Sequence, residues 1–275
     1  MCAHYVLQYD LLLAKCSREH LHIHPNINER REKMAKEEYN FIEIIMDGKK
    51  LTPELHIEWD ESDVAPNAYH IPPGKATIIY LDENDLKIVK VKVDGTKLEC
   101  LETYDRTQTP FQVVVPEGCQ SIRRIHVKYI YLTKITVPST LEHLGYNVFA
   151  NCFTLEEVIG LEKTRLTIIP GSCFHSSKIR SISLPSTLEK IGGYAFSSCR
   201  LLSEVIGLKN TRLRELGENC FSGCRALKHV DLPPTVKAIR KYAFSQSGVE
   251  TLTLPRGIQT LEALLNKKAF GKRRN

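Results

Sequence analysis

Three histidines near the start of the chain are the first side chains that could support chemistry. His20, His22 and His24 alternate with other residues, so an extended strand would present all three on one face. Neutral imidazoles grouped in this way can bind zinc, copper or nickel, and a metal-dependent enzyme is one hypothesis for this region. Because no carboxylate or second ligand group lies at a diagnostic spacing, we favour an unstructured tail and predict no metal site.

Nine cysteines form the second group of potentially reactive side chains. In the C-terminal half they recur around a phenylalanine, with Cys173 and Cys220 one residue before the ring and Cys152, Cys199 and Cys224 three residues after it. This regularity predicts small, buried, apolar side chains. Cys220 and Cys224 have zinc-finger spacing, but no second pair accompanies them. An odd count without a clear signal peptide favours free thiols, whereas export would allow disulfides between neighbouring turns.

The common catalytic signatures are missing from the sequence. It contains no Walker loop, no Gly-x-Ser-x-Gly and no His-Glu-x-x-His motif. We therefore assign no catalytic residue, expect no cofactor and predict a non-catalytic protein.

Charge and hydropathy limit the classes of partner. A formal net charge of +6 is too mild to indicate nucleic-acid binding, and we predict no nucleic-acid partner. No apolar run approaches the roughly 18–20 residues of a membrane helix, and the apolar stretch at residues 6–14 makes a poor signal peptide, which favours a cytoplasmic location. We interpret the basic cluster at the C-terminal end as a solvated tail. It comprises Lys267, Lys268, Lys272, Arg273 and Arg274.

The first 108 residues divide into two predicted parts. Residues 1–39 form a flexible or helical extension, because their last third is dense in both charge signs and in helix formers; our hypothesis is that residues 1–33 have no packed role. Residues 40–108 form a small β-rich domain of about five strands. The alternating valines of residues 89–93 indicate a half-buried strand, and Asp94-Gly95 predicts the hairpin turn that follows it.

The remaining part of the chain, residues 109–275, repeats itself. Successive copies are offset by 23, 24, 23, 25 and 22 residues, and periods of about 20–29 residues are typical of leucine-rich solenoids. Residues 111–116 predict the strand of a degenerate first turn. The aligned copies begin at Leu132, Leu155, Ile179, Leu202, Leu227 and Val249.

Each position within a copy has a structural role. The pattern Leu-x-x-Ile-x-Leu-Pro predicts one short parallel strand per turn, ended by a proline that cannot donate to the sheet. A single turn cannot bury its apolar face alone, whereas stacked turns can. The sequence therefore predicts an α/β, mostly β fold with a right-handed solenoid of six to seven turns. An interior column of stacked rings should comprise Phe149, Phe174, Phe196, Phe221 and Phe244.

These segments resemble the BspA-like leucine-rich repeats of anaerobic bacteria and parasitic protists. The resemblance rests on Leu184 to Gly192, Tyr194 to Cys199 and Asn219 to Cys224, and it covers about residues 110–270. It implies a solenoid without catalytic activity that acts in adhesion or ligand binding. Family members are typically cell-surface proteins, some of which bind host extracellular proteins, so the resemblance implies display at the cell surface.

The third and fifth strand positions of each copy should face outwards on the open, concave sheet. They are polar, small and mixed in sign, which suits a protein partner better than a lipid or a polyanion. We predict a protein-binding or adhesion module, with an intracellular interaction scaffold as the alternative. The predicted site comprises Lys134, Thr136, Glu157, Ser181, Ser183, Glu204, His229, Asp231, Thr251 and Thr253, with Ile159 and Ile206 at the same strand positions.

Overall fold

The computed structural model describes residues 42–46, 48–58, 75–81, 87–94, 96–103, 110–125, 131–256, 258 and 260–261. The predicted extension with His20, His22 and His24 lies outside these residues, as does the basic C-terminal cluster. The described residues belong to one compact unit that runs from Tyr39 to Asn275.

Six strands precede the repeats: β1 (Glu43–Met46), β2 (Lys49–Lys50), β3 (Thr52–Glu58), β4 (Lys75–Leu81), β5 (Lys87–Asp94) and β6 (Lys97–Thr103). Strands β3 to β6 form an antiparallel meander. Its last pair is the hairpin predicted from the alternating valines, and Val91 and Val93 are buried as the alternation requires. A second hairpin joins β1 and β2.

Each repeat then contributes two short strands on different sides of the turn. The first strand series comprises β7 (Phe111–Val114), β9 (Leu132–Thr136), β11 (Glu157–Ile159), β13 (Ser181–Ser183), β15 (Glu204–Ile206), β17 (His229–Asp231) and β19 (Thr251–Thr253). The second series comprises β8 (Ser121–Ile122), β10 (His143–Leu144), β12 (Ile168–Ile169), β14 (Lys190–Ile191), β16 (Glu215–Leu216), β18 (Ala238–Ile239) and β20 (Thr260–Leu261). The described residues thus contain seven stacked turns, and the strand pairs within each series are parallel.

The N-terminal strands continue directly into both series. β1 pairs antiparallel with β7, and β6 pairs parallel with β8. The six-stranded sheet therefore runs from the meander into the first turns, in the order β10-β8-β6-β5-β4-β3. That residues 40–108 form a separate domain stays a prediction.

The two series differ in continuity. The second series is hydrogen-bonded without interruption from β12 to β20, whereas the first series divides into β7-β9-β11, β13-β15 and β17-β19. In the undivided turns, the backbone N–H groups of Val137 and Leu184 each donate to a carbonyl of the next turn. At each division, a glycine occupies this position. Those glycines, Gly160 and Gly207, have φ of 88° and 79° and lead into short 3-10 helices, Leu161–Lys163 and Leu208–Asn210. Only glycine adopts this left-handed conformation without steric cost.

The predicted phenylalanine column is confirmed. Neighbouring ring centroids from Phe149 to Phe244 are 5.1, 5.3, 5.1 and 5.6 Å apart, and the planes differ by 12° or less. All five rings are buried. The backbone reinforces the stack, because the N–H of Phe196 donates to the carbonyl of Cys220 at 2.8 Å and the other turns repeat this bond. The fold class is therefore as predicted, a mostly β leucine-rich-repeat solenoid, and the described residues contain no α-helix.

Candidate functional site

The outward side of the first series, from β9 to β19, presents the predicted site residues. In each strand two outward side chains flank one that points inwards. The inward residue is buried in β9, β11, β13 and β17 and half-buried in β15 and β19. The predicted residues all lie outwards; Lys134, Thr136 and Ser183 are half-buried and the others are exposed. We name this surface the strand face; it consists of Lys134, Thr136, Glu157, Ile159, Ser181, Ser183, Glu204, Ile206, His229, Asp231, Thr251 and Thr253.

Strand register arranges the strand face in two rows within each of three strand pairs, β9-β11, β13-β15 and β17-β19. In-register parallel pairing sets equivalent residues of neighbouring turns side by side. The observed pairs are Lys134 with Glu157, Thr136 with Ile159, Ser181 with Glu204, Ser183 with Ile206, His229 with Thr251 and Asp231 with Thr253. The structure therefore brings the predicted residues together as one surface, although it does not test whether they bind a ligand.

Several of these side chains bond to one another across turns. Lys134 Nζ lies 3.0 Å from a Glu157 carboxylate oxygen, Thr253 Oγ1 donates to Asp231 Oδ1 at 2.8 Å, and His229 Nδ1 lies 2.6 Å from Thr251 Oγ1. Exposed contacts of this kind contribute at most about 1 kcal/mol each. They orient the surface without being important to its stability. Within the described residues, Glu204 forms no ion pair.

Two exposed isoleucines give the strand face an apolar component. Ile159 and Ile206 are 41% and 43% exposed, and Ser183 lies between them on the intervening turn. They stem from the two copies of the sequence Glu-Val-Ile-Gly, which occur two turns apart. Mixed apolar and polar character of this kind is typical of protein-binding surfaces.

The cysteines of the repeats line the interior, as predicted. Cys152, Cys173, Cys199, Cys220 and Cys224 are buried and unpaired. They also form hydrogen bonds: Cys199 Sγ donates to the carbonyl of Phe174, and Cys224 Sγ to that of Phe196, both at 3.0 Å. Burial raises the pKa of Cys199 to about 11 and that of Cys152 to about 12. These thiols are therefore protonated at neutral pH and unsuited to nucleophilic chemistry.

The raised thiol pKa values predict a loss of stability at alkaline pH. Unfolded, Cys199 ionises near its ordinary pKa of 9.0, whereas the folded chain retains the proton up to about 11. The stabilising contribution of a buried thiol to the free energy of unfolding is therefore complete below pH 9.0. It declines as pH rises towards 11, by about 1.4 kcal/mol per pH unit for each thiol. We expect Cys199→Ser to make the decline shallower by this amount, since serine occupies the equivalent positions Ser177 and Ser247.

Urea denaturation at pH values below 9.0 and between 9.0 and 11 measures how steeply the free energy of unfolding declines with pH in the native protein and in Cys199→Ser. Equal slopes in the native protein and in Cys199→Ser would contradict the assignment of the decline to this buried thiol.

The part of the chain that the structure describes contains no group of three or more histidine, cysteine, aspartate or glutamate side chains placed to hold a metal ion. None of its helices has the length and apolar character needed to cross a bilayer. The metal-site hypothesis for His20, His22 and His24 falls outside the described residues.

Comparison with known proteins identifies the repeats. The family model described as the BspA type leucine rich repeat region matches residues 104–213 and 204–270, with six copies. Among curated proteins, none matches the chain.

Three solved structures illustrate the similarity. A leucine-rich cell surface protein from Faecalibacterium prausnitzii is 20% identical, with 58% of each chain covered and a TM-score of 0.39. A leucine-rich repeat protein from Eubacterium ventriosum is 16% identical, with 66% of this chain and 54% of that chain covered and a TM-score of 0.44. The leucine-rich repeat protein of T. pallidum is 20% identical, with 64% and 67% covered and a TM-score of 0.37.

The chain spans 58% and 59% of the lengths of the Faecalibacterium protein and of a leucine-rich repeat protein from Bacteroides ovatus. The family match, by contrast, extends over more than half of this chain. It coincides with the stacked turns and with the phenylalanine column that closes their interior. The chain belongs to the BspA-type leucine-rich repeat family.

Proposed function

We propose that the chain binds a protein partner through the strand face, without a catalytic step. The observation that carries the proposal is the row structure: outward polar side chains recur on six successive turns, and strand pairing sets them side by side within three pairs of turns. Solenoids generally use such extended surfaces for binding. The exposed Ile159 and Ile206 supply apolar area, and the charges around them supply specificity.

Alanine replacement tests this surface directly. We expect the quadruple variant Glu157→Ala, Glu204→Ala, His229→Ala, Asp231→Ala to weaken binding of a captured partner about tenfold or more. Because the lost contacts are exposed, the free energy of unfolding should change by no more than about 1 kcal/mol for each substitution. The partner is first captured with the full chain as bait, and its affinity for each variant is then measured by calorimetry.

A matched variant controls for composition. Replacing Glu162, Glu189, Glu218 and His143 by alanine likewise removes three carboxylates and one histidine, but from positions outside the strand face. This control should bind the partner as the native chain does. Unaltered affinity in the strand-face variant, or an equal loss in both variants, would reject the strand face as the binding surface.

Two biological settings fit this binding role. Membership of the family supports adhesion to a host or cell-surface protein. The alternative is an intracellular interaction scaffold, and it is supported by the free thiols of the five buried repeat cysteines, Cys152, Cys173, Cys199, Cys220 and Cys224, since unpaired thiols are usual in reducing compartments. Labelling of intact cells with a membrane-impermeant reagent separates the two: labelled chain supports adhesion, whereas labelling of known surface proteins alone supports the scaffold.

A further inference from the structure

A run of cations follows the buried thiol position on three successive turns. Lys178, Arg200 and Arg225 each stand four residues after the phenylalanine of their turn, and all three are exposed. Arg180, also exposed, lies two residues after Lys178. We name these four residues the basic ridge. Within the described turns, the first three form the longest run of like charge at one repeat position.

The basic ridge departs from the pairing of charges elsewhere in the solenoid. Charges on neighbouring turns commonly pair with opposite sign, as in Lys134 with Glu157, Lys190 with Glu215 and Lys228 with Glu250. None of the four ridge cations has an ion-pair partner among the described residues. The four cations are therefore exposed and unpaired, and opposite charges attract, so they are available to a partner that supplies negative charge.

The backbone beneath the basic ridge is held rigidly. Its three residues that share a repeat position, Lys178, Arg200 and Arg225, directly follow the buried residues Ser177, Cys199 and Cys224. The two thiols bond to carbonyls of the preceding turn, and the phenylalanine rings of the same three turns are 5.3 and 5.1 Å apart. Three cations are therefore presented at a regular turn spacing, although their flexible side chains stay free to adapt to a ligand.

Apolar neighbours indicate the class of ligand. Phe153 occupies the same repeat position as Lys178, one turn earlier, and is 58% exposed. Leu201, beside Arg200, is 40% exposed. A sulfated polysaccharide has no apolar side chains to place on them, whereas a peptide segment that carries both acidic and apolar residues has. Arg180 directly precedes Ser181 of the strand face, so one protein partner can contact both surfaces.

We propose that the basic ridge binds an acidic segment, interspersed with apolar residues, of a protein partner. This inference rests on the proposed function, because it assigns a chemical class to the partner of the adjoining strand face. The partner's carboxylates would pair with Lys178, Arg200 and Arg225, and its apolar side chains would cover Phe153 and Leu201. Screening by salt should weaken the interaction, as it does for exposed charges in general.

The proposal is tested by the fluorescence anisotropy of a labelled peptide that is titrated with the full chain. In this peptide, glutamates flank a central leucine–phenylalanine pair. The triple variant Lys178→Gln, Arg200→Gln, Arg225→Gln should bind this peptide about tenfold more weakly than the native chain. The matched control Lys163→Gln, Lys209→Gln, Lys237→Gln also removes three positive charges, but from other exposed positions. It should change the affinity by less than about twofold, because distant exposed charges are screened.

Three results would overturn the proposal. Equal losses in the two triple variants would attribute binding to net charge alone, and absence of peptide binding by the native chain at low salt would remove the interaction. Binding of a heparin oligosaccharide in place of the peptide would assign the ridge to a polysaccharide. The strand-face variant should bind this peptide normally, so partner capture and peptide binding report separately on the two proposals.

Discussion

Phe196→Ala is expected to lower the free energy of unfolding by about 3–5 kcal/mol. Phe196 is the middle ring of the column and is fully buried, with its centroid 5.3 Å from that of Phe174 and 5.1 Å from that of Phe221. Truncation removes the transfer free energy of the ring and leaves a cavity that the stacked turns cannot close, because backbone hydrogen bonds hold their spacing. Urea denaturation followed by far-UV circular dichroism measures the loss.

Phe153→Ala provides the matched control, since the same side chain is removed from an exposed position four residues after Phe149, outside the column. We expect a change of less than about 1 kcal/mol. Similar losses in the two variants would mean that the ring column does not hold the turns together, and the account of the fold would then fail at its centre.

The phenylalanine column could be predicted from sequence because its members recur at one offset within a repeat of nearly constant length. Once Phe149 and Phe174 are aligned, stacking of identical turns leaves a single arrangement for the remaining rings. The same reasoning predicted which strand residues point outwards, since side chains alternate along a strand. Both predictions depend on local periodicity, which a sequence displays directly.

Pairing between distant segments could not be predicted in this way. β1 pairs with β7, from Glu43 opposite Val114 to Met46 opposite Phe111, and no periodicity links these residues. Whether β6 continues into β8 likewise depends on register and on the path of the connecting chain. Sequence reasoning therefore predicted strands in residues 40–108 but could not predict their bonds to the repeats.

The basic ridge was missed for a different reason. Lys178, Arg200 and Arg225 are unremarkable in sequence, because isolated surface cations are common and the net charge of the chain is mild. Their significance depends on two facts, that they stack on successive turns and that neighbouring charges do not pair with them. Aligning the repeats on phenylalanine would have shown the first fact, but the second needs the side-chain contacts.

Gly217→Ala is expected to destabilise the fold by about 3 kcal/mol, at the upper end of overpacking costs. A methyl group on Gly217 would lie 2.4 Å from the backbone nitrogen of Gly193 and 2.5 Å from the carbonyl carbon of Gly192. Neither atom belongs to a side chain that could rotate away. Relief would require the two turns to separate, against the hydrogen bond from the Gly217 N–H to the carbonyl of Ile191 at 2.8 Å and the stacked rings beside it.

Gly193→Ala separates this close approach from the general effect of adding a methyl group to a glycine. There the nearest atom is the carbonyl oxygen of Glu218 at 3.3 Å, so a shift of a few tenths of an ångström accommodates the substitution, and we expect a cost below about 1 kcal/mol. A thermal midpoint in Gly217→Ala as high as in Gly193→Ala would show that neighbouring turns can move apart independently. The turn spacing would then be a property of flexible coils, and the regular presentation of charges on the strand face and the basic ridge would lose its structural basis.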